Sequence, residues 1–186
     1  FREAATLIRQ AADHLNTLLT EILDLAKVEA GAMPIVLAPH PVRELVQNTA
    51  DFFAISAAQK GLTLQVSVSP DTPQLLVCDG LRLKQILNNL LSNALKFSAK
   101  NCHPHIEVDL TETDEDYIIS VKDNGVGFDP NTAKNLFKPF QRLHNSHEFN
   151  GHGMGLANVK KIIERHQGQV SAHSVPGDGA VFQVRL

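Results

Sequence analysis

The spacing of the apolar residues changes once along the chain, near Met33, and this change separates two kinds of structure. Before it, apolar residues recur in two interleaved series of seven, which predicts one long helix over residues 1–30. The two series are Ile8, Leu15 and Ile22, and Ala4, Ala11, Leu18 and Leu25. Gly31 is placed to end the helix, and Pro34 prevents its continuation. So wide a stripe needs a partner, either its own domain or an intermolecular bundle, and the spacing leaves both open.

After Met33 strand and helix patterns are mixed. Alternating or short apolar runs predict strands over residues 35–38, 62–68, 75–78, 106–110, 117–121, 169–174 and 181–186. Helical spacing predicts helices over 41–60, 80–99 and 154–166, and a short one near 132–137. Asp79 is the expected N-cap of the second helix, and Gly168 is expected to close the third. The loop-rich stretch from about 123 to 153 is long enough to be a functional lid.

Charge and length exclude broad classes of function. The chain has 186 residues and a formal net charge of −3, so it lacks the basic excess of a general nucleic-acid binder. Its two cysteines, Cys78 and Cys102, match no metal spacing and favour a reducing, cytoplasmic compartment. No apolar run is long enough to cross a bilayer, so no direct membrane contact is expected here. Because the chain begins at Phe1 inside a helical pattern, we expect a fragment that a membrane anchor or a sensor domain can precede.

Two polar clusters carry ligand chemistry. Asn89, Asn93 and Lys96 stand at i, i+4 and i+7 on one face of the predicted helix 80–99. Amide oxygens suit Mg²⁺ and an ammonium suits phosphate oxygens, although a plain solvated face gives the same pattern. Asp123 follows a strand and precedes Gly125 and Gly127, which is either a turn or a carboxylate beside a flat ring. A buried aspartate accepts hydrogen bonds and would favour the amine of adenine over the carbonyl of guanine.

Two further clusters lie in and after the loop-rich stretch. In residues 136–140 two aromatic residues flank a proline and can anchor the loop to the core. Lys138 and Arg142 can instead reach phosphates when the lid closes. Gly151, Gly153 and Gly155 precede a helix, and free amides at a helix N-terminus attract anions. The triplet is neither a Walker loop nor a dinucleotide fingerprint, since no Gly-Lys-Ser/Thr follows and no strand precedes it.

Taken together and in this order, the four clusters resemble the boxes of sensor histidine kinases. Residues 85–98 resemble the asparagine box, 123–127 the first glycine box, 137–140 the phenylalanine box and 151–156 the second glycine box. Residues 23–31 are similar to the end of the second dimerisation helix of these kinases. The resemblance implies an α+β fold, a two-layer sandwich with a mixed, mostly antiparallel sheet and helices on one face. It also implies two domains: residues 1–31 as an incomplete dimerisation hairpin and residues 32–186 as the ATP-binding catalytic domain.

The resemblance further implies ligands for the individual residues. Asn93 would hold Mg²⁺ with Asn89 beside it, Lys96 would bind phosphate and Asp123 would bind the adenine amine. The remaining expected ATP-binding residues line the base pocket, the lid and the start of the last helix: Gly125, Gly127, Arg142, Gly151, Gly153, Met154, Gly155 and Leu156. No protein nucleophile is expected. Where gyrase-like ATPases carry a water-activating glutamate this chain has Asn89, which suits transfer to a histidine rather than hydrolysis.

The family's phosphoacceptor motif is absent from the sequence, since neither His14 nor His147 has the required context. The glycine-rich turn at 177–179 also lacks the Thr or Ser common after it in the family. The function implied is that of a protein histidine kinase: it binds Mg-ATP and passes the γ-phosphoryl group to a histidine on a dimerisation helix, in cis or in trans. A response-regulator receiver domain and, for the full-length protein, a second copy are the implied partners. Two alternatives remain, a non-catalytic regulatory module that binds a partner kinase through helix 1–30, and a gyrase-like or chaperone-like ATPase.

Overall fold

The computed structural model describes residues 9, 12, 15–16, 19–20, 22–23, 26, 34–70, 72–113, 116–143 and 152–186. The chain divides into two compact units, Phe1–Pro34 and Ile35–Leu186. In the first unit every described residue before Pro34 is helical, in agreement with the heptad spacing. Among the described residues of this helix, the large apolar side chains of Leu15, Leu19, Ile22 and Leu23 are exposed. Gly31, the expected end of the helix, lies outside the described residues.

The described residues of the second unit form a mixed sheet and three α-helices. Its elements are β1 (Ala38–His40), α1 (Val42–Gln59), β2 (Thr63–Val68), β3 (Leu76–Cys78), α2 (Gly80–Ser98), β4 (His105–Glu112), β5 (Tyr117–Asp123), a 3₁₀-helix (Pro130–Asn135), α3 (Gly155–Arg165), β6 (Gln169–Val175) and β7 (Gly179–Arg185). Five strands form one sheet in the order β2-β4-β5-β7-β6. The β2–β4 pair is parallel and the other pairs are antiparallel, so the expected α+β class with a mixed, mostly antiparallel sheet is confirmed.

One face of the sheet is covered and the other is open. On β4 the side chains of Ile106, Val108 and Leu110 are 0% exposed, whereas the intervening Glu107 and Asp109 are half-buried. The covered face packs on α2, whose fully buried residues are Leu83, Ile86, Leu87, Leu90 and Leu91. Burying a side chain of this kind contributes about 1.5–3 kcal/mol. This packing therefore fixes the orientation of α2 and decides which of its residues face away from the sheet.

The structure corrects two boundaries. The first strand is Ala38–His40 rather than 35–38, because it pairs with β3 in the register Ala38 to Cys78, and this small two-stranded sheet was not foreseen. At the end of α3 it is Gln167, with φ of 62°, that adopts the left-handed conformation expected of Gly168. A side chain at Gly168 would instead collide with the Arg185 carbonyl. Among the described residues, the structure contains no helix long and apolar enough to span a membrane.

Candidate nucleotide site

Helix α2 presents Asn89, Asn93 and Lys96 on a half-buried face beside its apolar stripe. The helix begins at the predicted N-cap, where Asp79 Oδ1 accepts a hydrogen bond from the Arg82 amide at 3.1 Å. The Lys96 ammonium lies 4.2 Å from the centroid of the Phe97 ring. Burial, and next the nearby charge of the Arg142 guanidinium, lower the pKa of Lys96. Two cations so placed would both attract an anion bound between them.

Asp123 is the last residue of β5, and its side chain lies on the covered face of the sheet with only 4% exposure. Burial raises the pKa of Asp123 to about 6, although hydrogen bonds from the Gly125 and Ala180 amides act in the opposite direction. The Gly125 amide donates to Asp123 Oδ1 at 2.9 Å. At neutral pH the group is therefore a buried carboxylate that accepts hydrogen bonds, which is the chemistry that recognises an exocyclic amine.

The first glycine box rests directly on the C-terminal turn of α2. A methyl group at Gly125 would lie 2.5 Å from the Phe97 carbonyl oxygen and 2.8 Å from Asp123 Oδ1. The Val126 amide also donates to the Phe97 carbonyl at 3.3 Å. Glycine is required here because the backbone fills the space that a Cβ would need. This close contact brings the end of β5 next to the helix that carries Asn93 and Lys96.

Two residues of the same segment have structural contacts that the sequence did not reveal. Gly127 has φ of 62° and packs on the turn between β6 and β7, where a Cβ would collide with the Val175 carbonyl. Asn124 Oδ1 accepts from the His105 amide and its Nδ2 donates to the His103 carbonyl, each at 2.8 Å. These bonds fix the loop between α2 and β4. An asparagine in a turn is too common for its sequence to show such contacts.

Helix α3 begins next to Asn89. A methyl group at Gly155 would lie 3.0 Å from Asn89 Oδ1, so the second glycine box meets the asparagine box at this point. The N-cap residue of α3, Met154, makes no side-chain capping hydrogen bond. Met154 is 1% exposed and therefore belongs to the core, whereas Leu156 is half-buried. The backbone at the start of α3 is thus adjacent to the polar face of α2.

Within the loop-rich stretch, Gly153 contacts the backbone at Gln141. Gly153 has φ of 73°, and a Cβ there would lie 2.6 Å from the Gln141 carbonyl oxygen. Phe140 is 62% exposed and has φ of 61°, a conformation that costs a non-glycine residue about 1–2 kcal/mol. Gly151 and residues 144–150 lie outside the described residues.

The polar side chains on the α2 face of this site, Asn89, Asn93 and Lys96, are neutral or cationic. In the part of the chain that the structure describes, no group of three or more His, Cys, Asp or Glu side chains could hold a metal ion. Asn89 and Asn93 offer amide oxygens instead, which suit Mg²⁺ when phosphate oxygens and waters supply its other ligands. These residues thus fit a cation that arrives together with a polyphosphate.

This fold and site define a class of ATP-binding domains. The family model described as histidine kinase-, DNA gyrase B-, and HSP90-like ATPase matches residues 78–186, which is more than half of the chain. The chain therefore belongs to this family.

Within the family, the similar proteins include sensor histidine kinases, which confirms the resemblance noted in the sequence. The sensor protein GacS of Pseudomonas syringae pv. syringae is 38% identical in an alignment 184 residues long that covers 96% of this chain and 20% of GacS. The signal transduction histidine-protein kinase BarA of Escherichia coli strain K12 is 31% identical in an alignment 186 residues long that covers 97% of this chain and 20% of BarA. The chain thus spans about a fifth of the length of these relatives.

Solved structures show the same fold. Full-length ShkA, crystallised in complex with AMPPNP, matches with a TM-score of 0.88 and 29% identity over 99% of this chain and 38% of ShkA. The histidine kinase AdeS of Acinetobacter baumannii matches with a TM-score of 0.77 and 21% identity over 94% of this chain and 79% of AdeS, which supports the fold alone.

Proposed function

We propose that this chain binds Mg-ATP and transfers the γ-phosphoryl group to a histidine on a dimerisation helix, as the catalytic part of a two-component sensor kinase. The observation that carries the proposal is the convergence of separate segments on α2. Gly125 abuts the Phe97 carbonyl, Gly155 abuts Asn89, and Arg142 is close enough to Lys96 to lower its pKa. The ATP analogue bound to ShkA, a structural neighbour at 29% identity, supports ATP as the ligand.

Asp123 is the residue proposed to recognise the adenine base. Its buried carboxylate would accept from the adenine amine and repel the guanine carbonyl, with Gly125 and Gly127 shaping the backbone around it. Little water reaches this group, so the hydrogen bond forms with less competition from solvent than a surface contact would.

The polar face of α2 and the start of α3 are proposed to bind the phosphates of ATP. Lys96 and Arg142 would neutralise charge on the phosphates, and the backbone amides at the start of α3, from Gly155 onward, would donate to their oxygens. Gly153 and Met154 would shape the approach to this helix start, Leu156 would flank it, and Gly151 is proposed from its place in the motif alone. Asn93 and Asn89 would hold Mg²⁺, which when bound neutralises developing charge on the phosphates.

The residue at position 89, an asparagine, favours phosphoryl transfer over hydrolysis of ATP. Asn89 has no carboxylate with which to activate water, so its neutral amide can position but cannot accept a proton from an attacking nucleophile. Catalysis would then consist of orientation and charge neutralisation, as in other phosphoryl transfers. A histidine-bearing helix would supply the nucleophile, and a response-regulator receiver domain would accept the phosphoryl group afterwards. Residues 1–31 would be the second helix of the dimerisation hairpin, in a cytoplasmic homodimer of the full-length protein.

A non-catalytic module of the same fold is the second candidate. The exposed apolar side chains of the first unit, among them Leu15 and Leu19, favour association of that helix with another protein. In this case the nucleotide site would bind ATP without turnover.

The two candidates are separated by supplying the missing helix. The 186-residue chain is mixed with radiolabelled ATP, Mg²⁺ and a dimerisation hairpin that contains the phosphoacceptor histidine. We expect acid-labile label on the hairpin, no label on the chain itself, and loss of transfer in Asn93→Ala. An unlabelled hairpin despite bound ATP would contradict kinase function and favour the regulatory module. Label on the chain itself would contradict the expectation that the 186 residues contain no phosphoacceptor.

A further inference from the structure

A buried carboxylate outside the nucleotide site holds the segment that joins the two units. Asp79 is 7% exposed, and its Oδ2 accepts a hydrogen bond from the Val36 amide at 3.0 Å. Its Oδ1 accepts from the Arg82 amide at 3.1 Å in the first turn of α2. Val36 lies two residues after Pro34, where the first unit ends. One side chain therefore both caps α2 and fixes the chain where it enters the second unit.

The same residue is tied to the far end of α3 through its backbone. The Asp79 amide donates to His166 Nε2 at 3.3 Å. His166 Nδ1 lies 2.9 Å from the Ile162 carbonyl oxygen, which can only accept, so Nδ1 carries the hydrogen and Nε2 is the acceptor. The tautomer of His166 is thus set by its two partners, and the ring links the C-terminus of α3 to the start of α2.

Helices α2 and α3 are consequently joined at two points. The start of α3 meets Asn89 through Gly155, and its end meets Asp79 through His166. The separation between these points is ten residues on α2 and eleven on α3, or about 15 and 17 Å at 1.5 Å per residue. Because the two lengths match, the helices form an antiparallel pair fixed at both ends. A displacement of the start of α3 would therefore be carried to Asp79.

We propose that Asp79 is a positioning residue that couples occupancy of the nucleotide site, through α3 and His166, to the order of segment 34–37. The proposal rests on the nucleotide site proposed above. An ordinary helix cap would need only the Arg82 contact, and the second contact to Val36 goes beyond that role. Burial acts to raise the pKa of Asp79, but the Val36 and Arg82 amides together with the Arg82 charge outweigh it and lower the pKa. The carboxylate is thus ionised when it accepts from Val36, which strengthens the contact.

Asp79→Asn separates the two contacts, because asparagine caps helices as well as aspartate does but offers one acceptor oxygen instead of two. Amide hydrogen exchange at Val36 is measured by NMR on the 186-residue chain, with and without saturating ADP and Mg²⁺. His166→Ala removes the link to α3 and leaves the Val36 contact in place. Asp129→Asn is the matched control, since Asp129 caps the 3₁₀-helix through the Asn131 amide at 2.9 Å, in a different part of the fold.

Without nucleotide, we expect Val36 to exchange at least about tenfold faster in Asp79→Asn than in the wild type, with unchanged ADP affinity. In the wild type, ADP should slow this exchange about fivefold or more, and His166→Ala should abolish that slowing. Asp129→Asn should behave as the wild type in both conditions.

Equal Val36 exchange in Asp79→Asn and the wild type would overturn the anchoring role. ADP that binds the wild type and leaves Val36 unchanged would overturn the coupling. Failure of ADP to bind would refute the proposed function and the coupling with it, while the nucleotide-free comparison would still decide the anchoring role.

Discussion

Replacing Asp123 by asparagine removes a charge that the folded chain buries at a cost. Burial raises the pKa of Asp123 from 3.8 to about 6. The difference of about two units, at 1.36 kcal/mol per unit, corresponds to about 3 kcal/mol of lost stability at neutral pH. The folded state binds this proton more tightly than the unfolded state. The cost is therefore fully present above the folded pKa of about 6 and is relieved as the pH falls toward 3.8.

The pH dependence can be isolated from the loss of hydrogen bonds. In Asp123→Asn the side-chain NH₂ group replaces a carboxylate oxygen that accepted a hydrogen bond from a backbone amide. The loss of this hydrogen bond lowers the free energy of unfolding by about 1–3 kcal/mol at every pH. The free energy of unfolding is measured in urea for the wild type and Asp123→Asn at about pH 4.5 and pH 7. Because the loss of the hydrogen bond is the same at both pH values, it does not contribute to the change in the difference between the two proteins. We expect the stability of the variant relative to the wild type to rise by about 2 kcal/mol between these two values.

Asp123→Glu is the control, because it retains a carboxyl group at the same position. It should keep the pH dependence of the wild type even where the longer side chain lowers overall stability. A stability difference between the wild type and Asp123→Asn that stays constant from about pH 4.5 to pH 7 would refute the claim that the fold buries a charged carboxylate here.

Three further predictions concern ligands and backbone. Asn93→Ala should lower ATP affinity in the presence of Mg²⁺ by about tenfold or more and change it little in EDTA, as measured by calorimetry. Lys96→Gln should weaken binding of ATP more than binding of adenosine, and equal losses for both ligands would argue against a phosphate contact. Gly177→Ala, at φ of 83° in open space, should cost about 1–2 kcal/mol of unfolding free energy. Gly179→Ala, at φ of 95° and against the Asp123 carbonyl, should cost several times more in the same urea titration, and equal costs would contradict the packing described.

Much of the fold could be predicted because local signals and packing agree. The helix from Val42 to Gln59 begins after a proline and ends before Gly61, which has φ of 66°. The stripe of α2 and the alternation in β4 and β5 likewise predict which faces are buried. The parallel pairing of β2 with β4 and the small β1–β3 sheet depend on long-range partners, so no local pattern predicts them. For the same reason the first strand was placed three residues too early.

For the candidate site, the sequence could identify residues that share one helix but not the contacts between segments. The spacing of Asn89, Asn93 and Lys96 places them on one face as soon as α2 is assigned. The sequence contains no comparable signal for Gly127, whose missing side chain is explained by the β6–β7 turn. It also gave no indication that Asp79 holds Val36 as well as Arg82, because the second contact spans 43 residues.

The central claim is that one buried carboxylate selects adenine over guanine in this chain. Titration of ATP and GTP into the wild type and into Asp123→Asn, each with Mg²⁺, tests it directly. We predict that the wild type prefers ATP by at least about tenfold and that Asp123→Asn loses most of this preference, because the amide can donate to the guanine carbonyl. Equal affinity of the wild type for the two nucleotides, or a preference that survives Asp123→Asn unchanged, would contradict the account.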